Sequence, residues 1–403
     1  MQGCPQKLTL TYPLLREVVQ HLQRSPSAFT PVGINRTRQG VEWLARGPVA
    51  SEAAGPGVVW TREATLPLPL GGEPLLLVRL GGDSLSGWFL EEPWGLIRVP
   101  VRLLAPGLPE DPLPPWPPVP EERSRVAGAF GEGWGRLPGL GVVVAGAGRL
   151  GSLASYLLLQ AGIGRLVLVD PDRVEEGNLD GGLFFPGDLG RPKAEALRER
   201  LLEANPEARV EALPIPVQSL GALEAIKEAD ALVVATDWDR PRLALGALAA
   251  THLKPLLDLG VEARRDGRTG GEVRLLLPGE GCLLCTGGVA HPGEALLAER
   301  VRQSWREERR GSLPGLVAAV AGLGVELLLG FLTGRDPLWG SRWLRLEWGS
   351  SGPRLEEPSW SPRGDCLCPW AGRGDEGLDQ ALAVGRAWMV RETGSEPGED
   401  GAG

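Results

Sequence analysis

Lysine is scarce in this chain of 403 residues: Lys7, Lys193, Lys227 and Lys254 are the only four, and the rest of the 42 basic residues are arginine. Acidic residues outnumber basic ones, and the net charge is −9. A broad basic footprint for nucleic acid is therefore excluded. Only three histidines occur. His21, His252 and His291 are scattered and form neither a triad-like nor a His-Glu-x-x-His arrangement, so core or surface roles are expected of each. Cysteine is limited to five residues, and no charged head followed by an apolar core opens the chain. Paired cysteines without a secretion signal point to the cytoplasm, and to metal rather than disulfides. Long apolar runs are missing but for Leu313 to Leu332, twenty residues with the single charge Glu326. Its glycines and alanines, and the cost of a lone glutamate in lipid, predict a buried helix at a core or a dimer interface, not a membrane span.

What is present suits a soluble globular protein: 42% apolar and 23% charged residues, in a chain long enough for two domains. Residues 1–108 read as a small α+β or mostly β domain, with a strand then a helix over Leu8–Gln23 and short apolar runs at Val58–Trp60, Pro74–Leu80 and Gly95–Leu104. A proline-rich linker follows at 109–121. Residues 371–403, Gly-rich with three Arg against seven Asp and Glu, are expected to be a solvated tail. Between them, over 122–370, unalternated apolar strands at Gly141–Ala145, Arg165–Asp170, Ala208–Leu213, Asp230–Ala235 and Pro255–Leu259 alternate with helices. That pattern predicts an α/β fold, a doubly wound, mostly parallel Rossmann-like sheet.

Gly146-Ala-Gly148-Arg149-Leu-Gly151 follows the first of these strands and opens a helix. Glycines let a phosphate approach the backbone, and helix N-terminal N–H groups favour anions. Asp170 ends the next strand, where an acid takes ribose hydroxyls. These residues point to an adenine nucleotide and leave ATP and NAD both open.

The next segments separate the two. Asp170-Pro-Asp172-Arg-Val-Glu-Glu-Gly-Asn178-Leu179 and Gly190-Arg-Pro-Lys193-Ala-Glu195 continue the series. Together with the glycine loop they resemble the consecutive signatures of the ThiF/MoeB/HesA family, over roughly residues 122–370. The resemblance implies binding of ATP and Mg2+ and adenylation of the C-terminal glycine carboxylate of a small ubiquitin-like or sulfur-carrier protein, by a homodimer. It implies that Asp170 holds the ribose, that Lys193 and Asn178 face the phosphates, and that Asp237, after the strand ending at Ala235, meets Mg2+. Lys193 could instead be an exposed lysine at a helix start, and Asn178 a turn residue. Where the family has an arginine after the Asn-Leu pair, this chain has Gly181. Arg149 stands where the family has glycine, and it either restores the missing charge or blocks the pocket. Arg123 and Arg125 match a further family arginine, or are solvated linker residues.

Cys282-Leu-Leu-Cys285 and Cys366-Leu-Cys368 form two close pairs, which suits tetrahedral Zn2+ as a structural zinc knuckle. Cys4 is then the only unpaired thiol, and residues 286–312 contain none. A MoeB-like enzyme that adenylates without forming a thioester is expected. Leu8–Leu22 and the strands after it faintly resemble a JAMM-type isopeptidase domain, but residues 76–90 lack the histidines that its metal needs. Tryptophans at 43, 60, 88 and 94 are candidates for partner contacts or for the core. The alternative to an enzyme is an inactive relative that keeps fold and zinc and serves as a leader-peptide-binding scaffold. An NAD(P) oxidoreductase explains neither the Gly-Arg-Pro-Lys segment nor the cysteines.

Overall fold

The computed structural model describes residues 6–22, 24–25, 27–50, 57–61, 75–81, 84–91, 95–104, 108, 110–111, 131–263, 269–289, 313–335, 340–349, 352–363, 366–379 and 381. The first unit contains β1 (Lys7–Thr11), α1 (Tyr12–His21), β2 (Ser27–Thr37), β3 (Gly40–Ala45), β4 (Gly57–Thr61), β5 (Leu75–Gly81), β6 (Ser84–Glu91), β7 (Gly95–Val99), β8 (Val101–Leu104) and β9 (Glu110–Asp111). Its nine strands make one sheet in the order β7-β6-β5-β4-β2-β3-β1-β8-β9. Thr11 ends β1 and caps α1, its hydroxyl accepting from the Leu14 N–H at 3.3 Å, with Pro13 in the first turn. Trp43 and Trp60 are core residues, 2% and 0% exposed, so the partner-contact reading fails for both. The Trp60 indole N–H is satisfied by the Thr30 hydroxyl at 2.9 Å.

The second unit contains β10 (Gly141–Ala145), α2 (Arg149–Ala161), β11 (Arg165–Val169), α3 (Lys193–Ala204), β12 (Arg209–Leu213), α4 (Leu220–Glu228), β13 (Ala231–Val234), α5 (Asp239–Thr251), β14 (Leu256–Ala263), β15 (Thr269–Leu276), α6 (Pro314–Thr333), β16 (Arg342–Gly349) and β17 (Gly352–Glu356). The strand order is β12-β11-β10-β13-β14-β15-β16-β17. The first five are parallel, and β15 to β17 extend the sheet antiparallel. Val142 and Val144 face one apolar cluster, with α2, α3 and α6; Val143 and Ala145 face another, with α4, α5 and the cysteine segment. Both faces of β10 are therefore dry, which is why its sequence has no polar alternation. The strand order reverses between β10 and β13, and the C-terminal ends of those strands frame the crevice where such sheets bind ligands.

Helix α6 packs on α2, β14 and β15. It is long and apolar enough to cross a membrane, yet most of it is buried in the fold. The close approach depends on Gly324, where a Cβ would meet Leu259 Cδ2 at 2.3 Å.

The start of the tail corrects the expectation of a solvated segment. The N–H groups of Gly372 and Gly374 donate to Ala250 and Thr251 carbonyls at 3.1 and 2.9 Å, and Gly374 bridges Ile34 of β2. The Arg36 N–H donates to Asp375 at 3.0 Å. This strap ties the first sheet to the second unit. Arg102 of β8 adds a 2.8 Å ion pair to Asp230 at the foot of β13.

Candidate functional site

The glycine loop sits in the crevice. Gly146 has φ +96°, and a Cβ there would lie 2.6 Å from the Ala235 carbonyl. A Cβ on Gly151 would lie 1.7 Å from the Gly146 carbonyl. Both positions need glycine for backbone packing. Gly148, which caps α2, is different: a Cβ would meet nothing within 4 Å. The loop therefore leaves open space at the helix N-terminus, where an anion is favoured.

Asp170 is buried at the end of β11. Its Oδ2 accepts from the Ala147 N–H at 2.6 Å and its Oδ1 from the Asp172 N–H at 2.8 Å. Burial pushes its carboxyl above the usual range, while those two N–H groups and the Lys193 charge pull it back. Lys193 donates to Asp172 Oδ2 at 3.0 Å, with its side chain largely covered. It is thus an ion-paired residue beside Asp170, not the freely exposed helix-start lysine. The loop that carries it is held by Asp188, buried and bound by Arg200 at 2.9 Å and by Arg191 at 3.4 Å. The Lys193 N–H also donates to the Asp172 carbonyl at 2.9 Å. Glycine loop, Asp170, Asp172 and Lys193 form one hydrogen-bonded path.

Other residues stand differently. The Asn178 side chain accepts from the Glu175 N–H at 2.9 Å and closes a short turn, so it serves as a turn residue. Gly181 has φ +111°, a conformation that strains any residue with a Cβ, so an arginine is disfavoured at this point of the chain. Arg149 donates to the Gly177 carbonyl at 3.2 Å and lies 4.0 Å from Asp180, so it leans on the turn that precedes Gly181. Asp237 is exposed in the turn between β13 and α5. Arg123, Arg125, Cys4 and His291 lie outside the described residues.

Sequence reasoning missed Arg242 and Asp258. Asp258 is fully buried in β14 and paired with Arg242 and, at 3.0 Å, with Arg274. The available signal was an aspartate inside the apolar run Leu256–Leu259, because a buried carboxylate requires partners.

The four cysteines converge. All four Sγ atoms lie within 4.8 Å of one another, with Cys282–Cys285 at 3.6 Å and Cys285–Cys368 at 3.8 Å. Four thiolates around one zinc ion stand about 3.8 Å apart, given Zn–S bonds of about 2.3 Å. The donor set and spacing therefore fit zinc. The Arg363 N–H points at Cys285 Sγ from 3.5 Å, the outer contact expected around a thiolate. Hydrogen bonding from Cys368 draws the Cys282 thiol down to about 5, while burial pushes Cys285 up to about 11.

The chain is similar to several known proteins. A Thermus thermophilus protein named sulfur carrier protein adenylyltransferase is 41% identical over 127 residues, 31% of this chain and 47% of its own length. The chicken ubiquitin-like modifier-activating enzyme 5 is 27% identical over 206 residues, 47% of this chain and 50% of its own. The chain spans about half the length of the curated relatives it matches. Among solved structures, E. coli MccB with succinimide aligns at 20% identity and a TM-score of 0.49, over 62% of this chain and 75% of that one. The ThiF family model matches residues 124–352, more than half of the sequence and the whole of the crevice just described, and the chain belongs to the ThiF family.

Proposed function

We propose that the crevice binds ATP with Mg2+ and that the protein adenylates the C-terminal glycine carboxylate of a small ubiquitin-like or sulfur-carrier protein. The observation that carries this reading is the hydrogen-bonded path from the glycine loop through Asp170 and Asp172 to Lys193, beside the open space at Gly148. An NAD-binding turn has no need of that lysine. Family membership and the names of the relatives support the same class of reaction.

In this reading a carboxylate oxygen of the carrier attacks the α-phosphorus of ATP. The new oxygen–phosphorus bond forms as the bond to the bridging oxygen breaks, and pyrophosphate leaves. The N–H groups at the start of α2 face the phosphates, Lys193 offsets their charge, and Asp170 accepts from the ribose hydroxyls. Asp237 would hold Mg2+, which when bound would offset charge on the phosphates. Zinc in the four-thiolate cluster is structural, since four sulfurs leave no open position. A cytoplasmic homodimer belongs to the same reading.

Calorimetry with ATP and Mg2+ is the first test. Lys193→Ala and Asp237→Ala should each weaken binding about tenfold or more, and exchange of pyrophosphate into ATP should then require a carrier ending in Gly-Gly. Two observations favour a second reading, a leader-peptide-binding scaffold: Asn178 is spent on a turn, and Gly181 holds no cation. A folded, zinc-loaded protein that binds no ATP would overturn the enzyme reading and turn attention to the scaffold.

A further inference from the structure

The sheet pairing of β13 with β14 ends at Val234 and Asp258. Beyond that point the Arg242 side chain joins the two segments. Arg242, in the first turn of α5, donates from Nε to the Thr236 carbonyl at 2.9 Å and from NH2 to the Leu259 carbonyl at 2.8 Å, while NH1 pairs with Asp258 Oδ1. Three nitrogens of one planar group thus reach three acceptors, one just beyond the end of β13 and two on β14, a geometry that lysine cannot copy. The anchor is itself braced. Arg274 holds the other Asp258 oxygen at 3.0 Å, pairs with Glu272, and lies over the Trp343 ring at 5.0 Å.

What Arg242 holds is the turn from Ala235 to Asp237. That turn is also the floor under the glycine loop: the Ala235 N–H donates to the Ala145 carbonyl at 2.9 Å, and a Cβ on Gly146 would meet Ala235 O at 2.6 Å and Thr236 Cγ2 at 3.0 Å. Asp237 follows directly and is exposed. The turn therefore has the phosphate loop on one side and Arg242 on the other.

We propose that Arg242 is a positioning residue of the nucleotide site, fixing the Asp237 carboxylate relative to the glycine loop so that phosphate and metal are held together. The inference rests on the reading of the crevice as an ATP–Mg2+ site. It makes Arg242 necessary for the part of ATP affinity that depends on Mg2+, and dispensable for the part supplied by Lys193 and the loop.

The test is ATP binding by calorimetry with Mg2+ and with EDTA, on the full chain, for wild type, Arg242→Lys, Arg242→Gln, Asp237→Ala and Lys193→Ala. Arg242→Lys keeps a positive charge beside Asp258, so it remains folded if Arg242→Gln does not. The gain in affinity from Mg2+ should fall about tenfold in the Arg242 variants and in Asp237→Ala, with affinity in EDTA unchanged. Lys193→Ala should lose affinity in both conditions. A purely structural Arg242 would lower thermal stability and leave the Mg2+ gain at the wild-type value, and that result overturns the inference. Wild type that binds no ATP in either condition overturns the reading of the site itself, while a wild-type Mg2+ gain retained in Arg242→Lys overturns only the role of Arg242.

Discussion

Lys227 Nζ lies 2.7 Å from Asp375 Oδ1, joining helix α4 to the strap that leaves the thiol cluster. The same carboxylate accepts from the Arg36 N–H of the first sheet through its other oxygen. One aspartate therefore links three segments that are far apart in the chain. Lys227 is buried, so its charge has no easy recourse to water once the partner is gone.

Asp375→Ala is expected to destabilise the protein by about 2–4 kcal/mol, because a buried ammonium is left unpaired. Arg36→Ala should cost about 0.5 kcal/mol or less, since its guanidinium is 65% exposed and 3.9 Å from Asp375. Urea denaturation of the two variants measures the difference, and equal midpoints would show that the strap is held by other contacts.

Acid should loosen the protein earlier than carboxylate titration alone would. His252 is fully buried, and neither ring nitrogen has a hydrogen-bond partner among the described residues. Burial, with Lys254 and Lys227 nearby, pushes its pKa down to about 3, against the opposing pull of Asp375 and Glu42. A depressed histidine pKa means that the unfolded chain takes the proton first. Stability is thus complete above the ordinary value of 6.5 and falls by about 1.4 kcal/mol per pH unit below it, down to the folded value. His252→Leu should flatten urea midpoints between pH 6.5 and 4 without loss at pH 7.5. An unchanged slope in that variant would assign the effect to other groups.

Metal removal should be felt beyond the cysteines. Cys366 and Cys368 lie just before Gly372–Asp375, the residues that bind Ala250, Thr251 and β2. One zinc per chain is expected by elemental analysis. Stripping it with a chelator should raise hydrogen exchange at the cluster and also at Ile34 and Arg36, because the segment loses its fixed end. Faster exchange confined to 282–288 and 366–370 would rule out that coupling.

The glycines of the loop before α2 should separate binding from folding. Gly148→Val points into open space and should fold with an unchanged melting temperature while losing ATP affinity. Gly151→Ala forces a Cβ to 1.7 Å from the Gly146 carbonyl, and should lower the melting temperature by several degrees. Circular dichroism and calorimetry on both variants check this. A Gly148→Val protein that binds ATP normally would place the phosphates elsewhere.

The sequence was most legible where a residue's duty is local. The strand at Gly141–Ala145 and the helices at Arg149–Ala161 and Lys193–Ala204 have the bounds that their apolar runs and glycines predict. Burial on two faces removes alternation, and a loop under close backbone contact admits only glycine, so both leave marks in a short window. The four cysteines were legible for the same reason, as two tight pairs of one ligand type. The duties of Asn178 and Gly181 were not, because hydrogen-bond partners and positive φ angles are properties of a folded turn.

By itself the sequence determined the parallel core, the glycine loop and the thiol set, since each follows from a pattern within a few residues, and the family resemblance pointed to Asp170 and Lys193. Only the tertiary structure decided where the other charges meet. Lys7 and Lys254 lie 3.5 and 3.8 Å from Glu42, and Lys227 reaches Asp375, so three of the four lysines gather where the first sheet meets the second unit. Asp258 and Arg274 are cross-strand partners on antiparallel β14 and β15, and Arg242 reaches the same carboxylate from helix α5. Such pairings depend on which strands become neighbours and in what register, and no spacing along the chain encodes that.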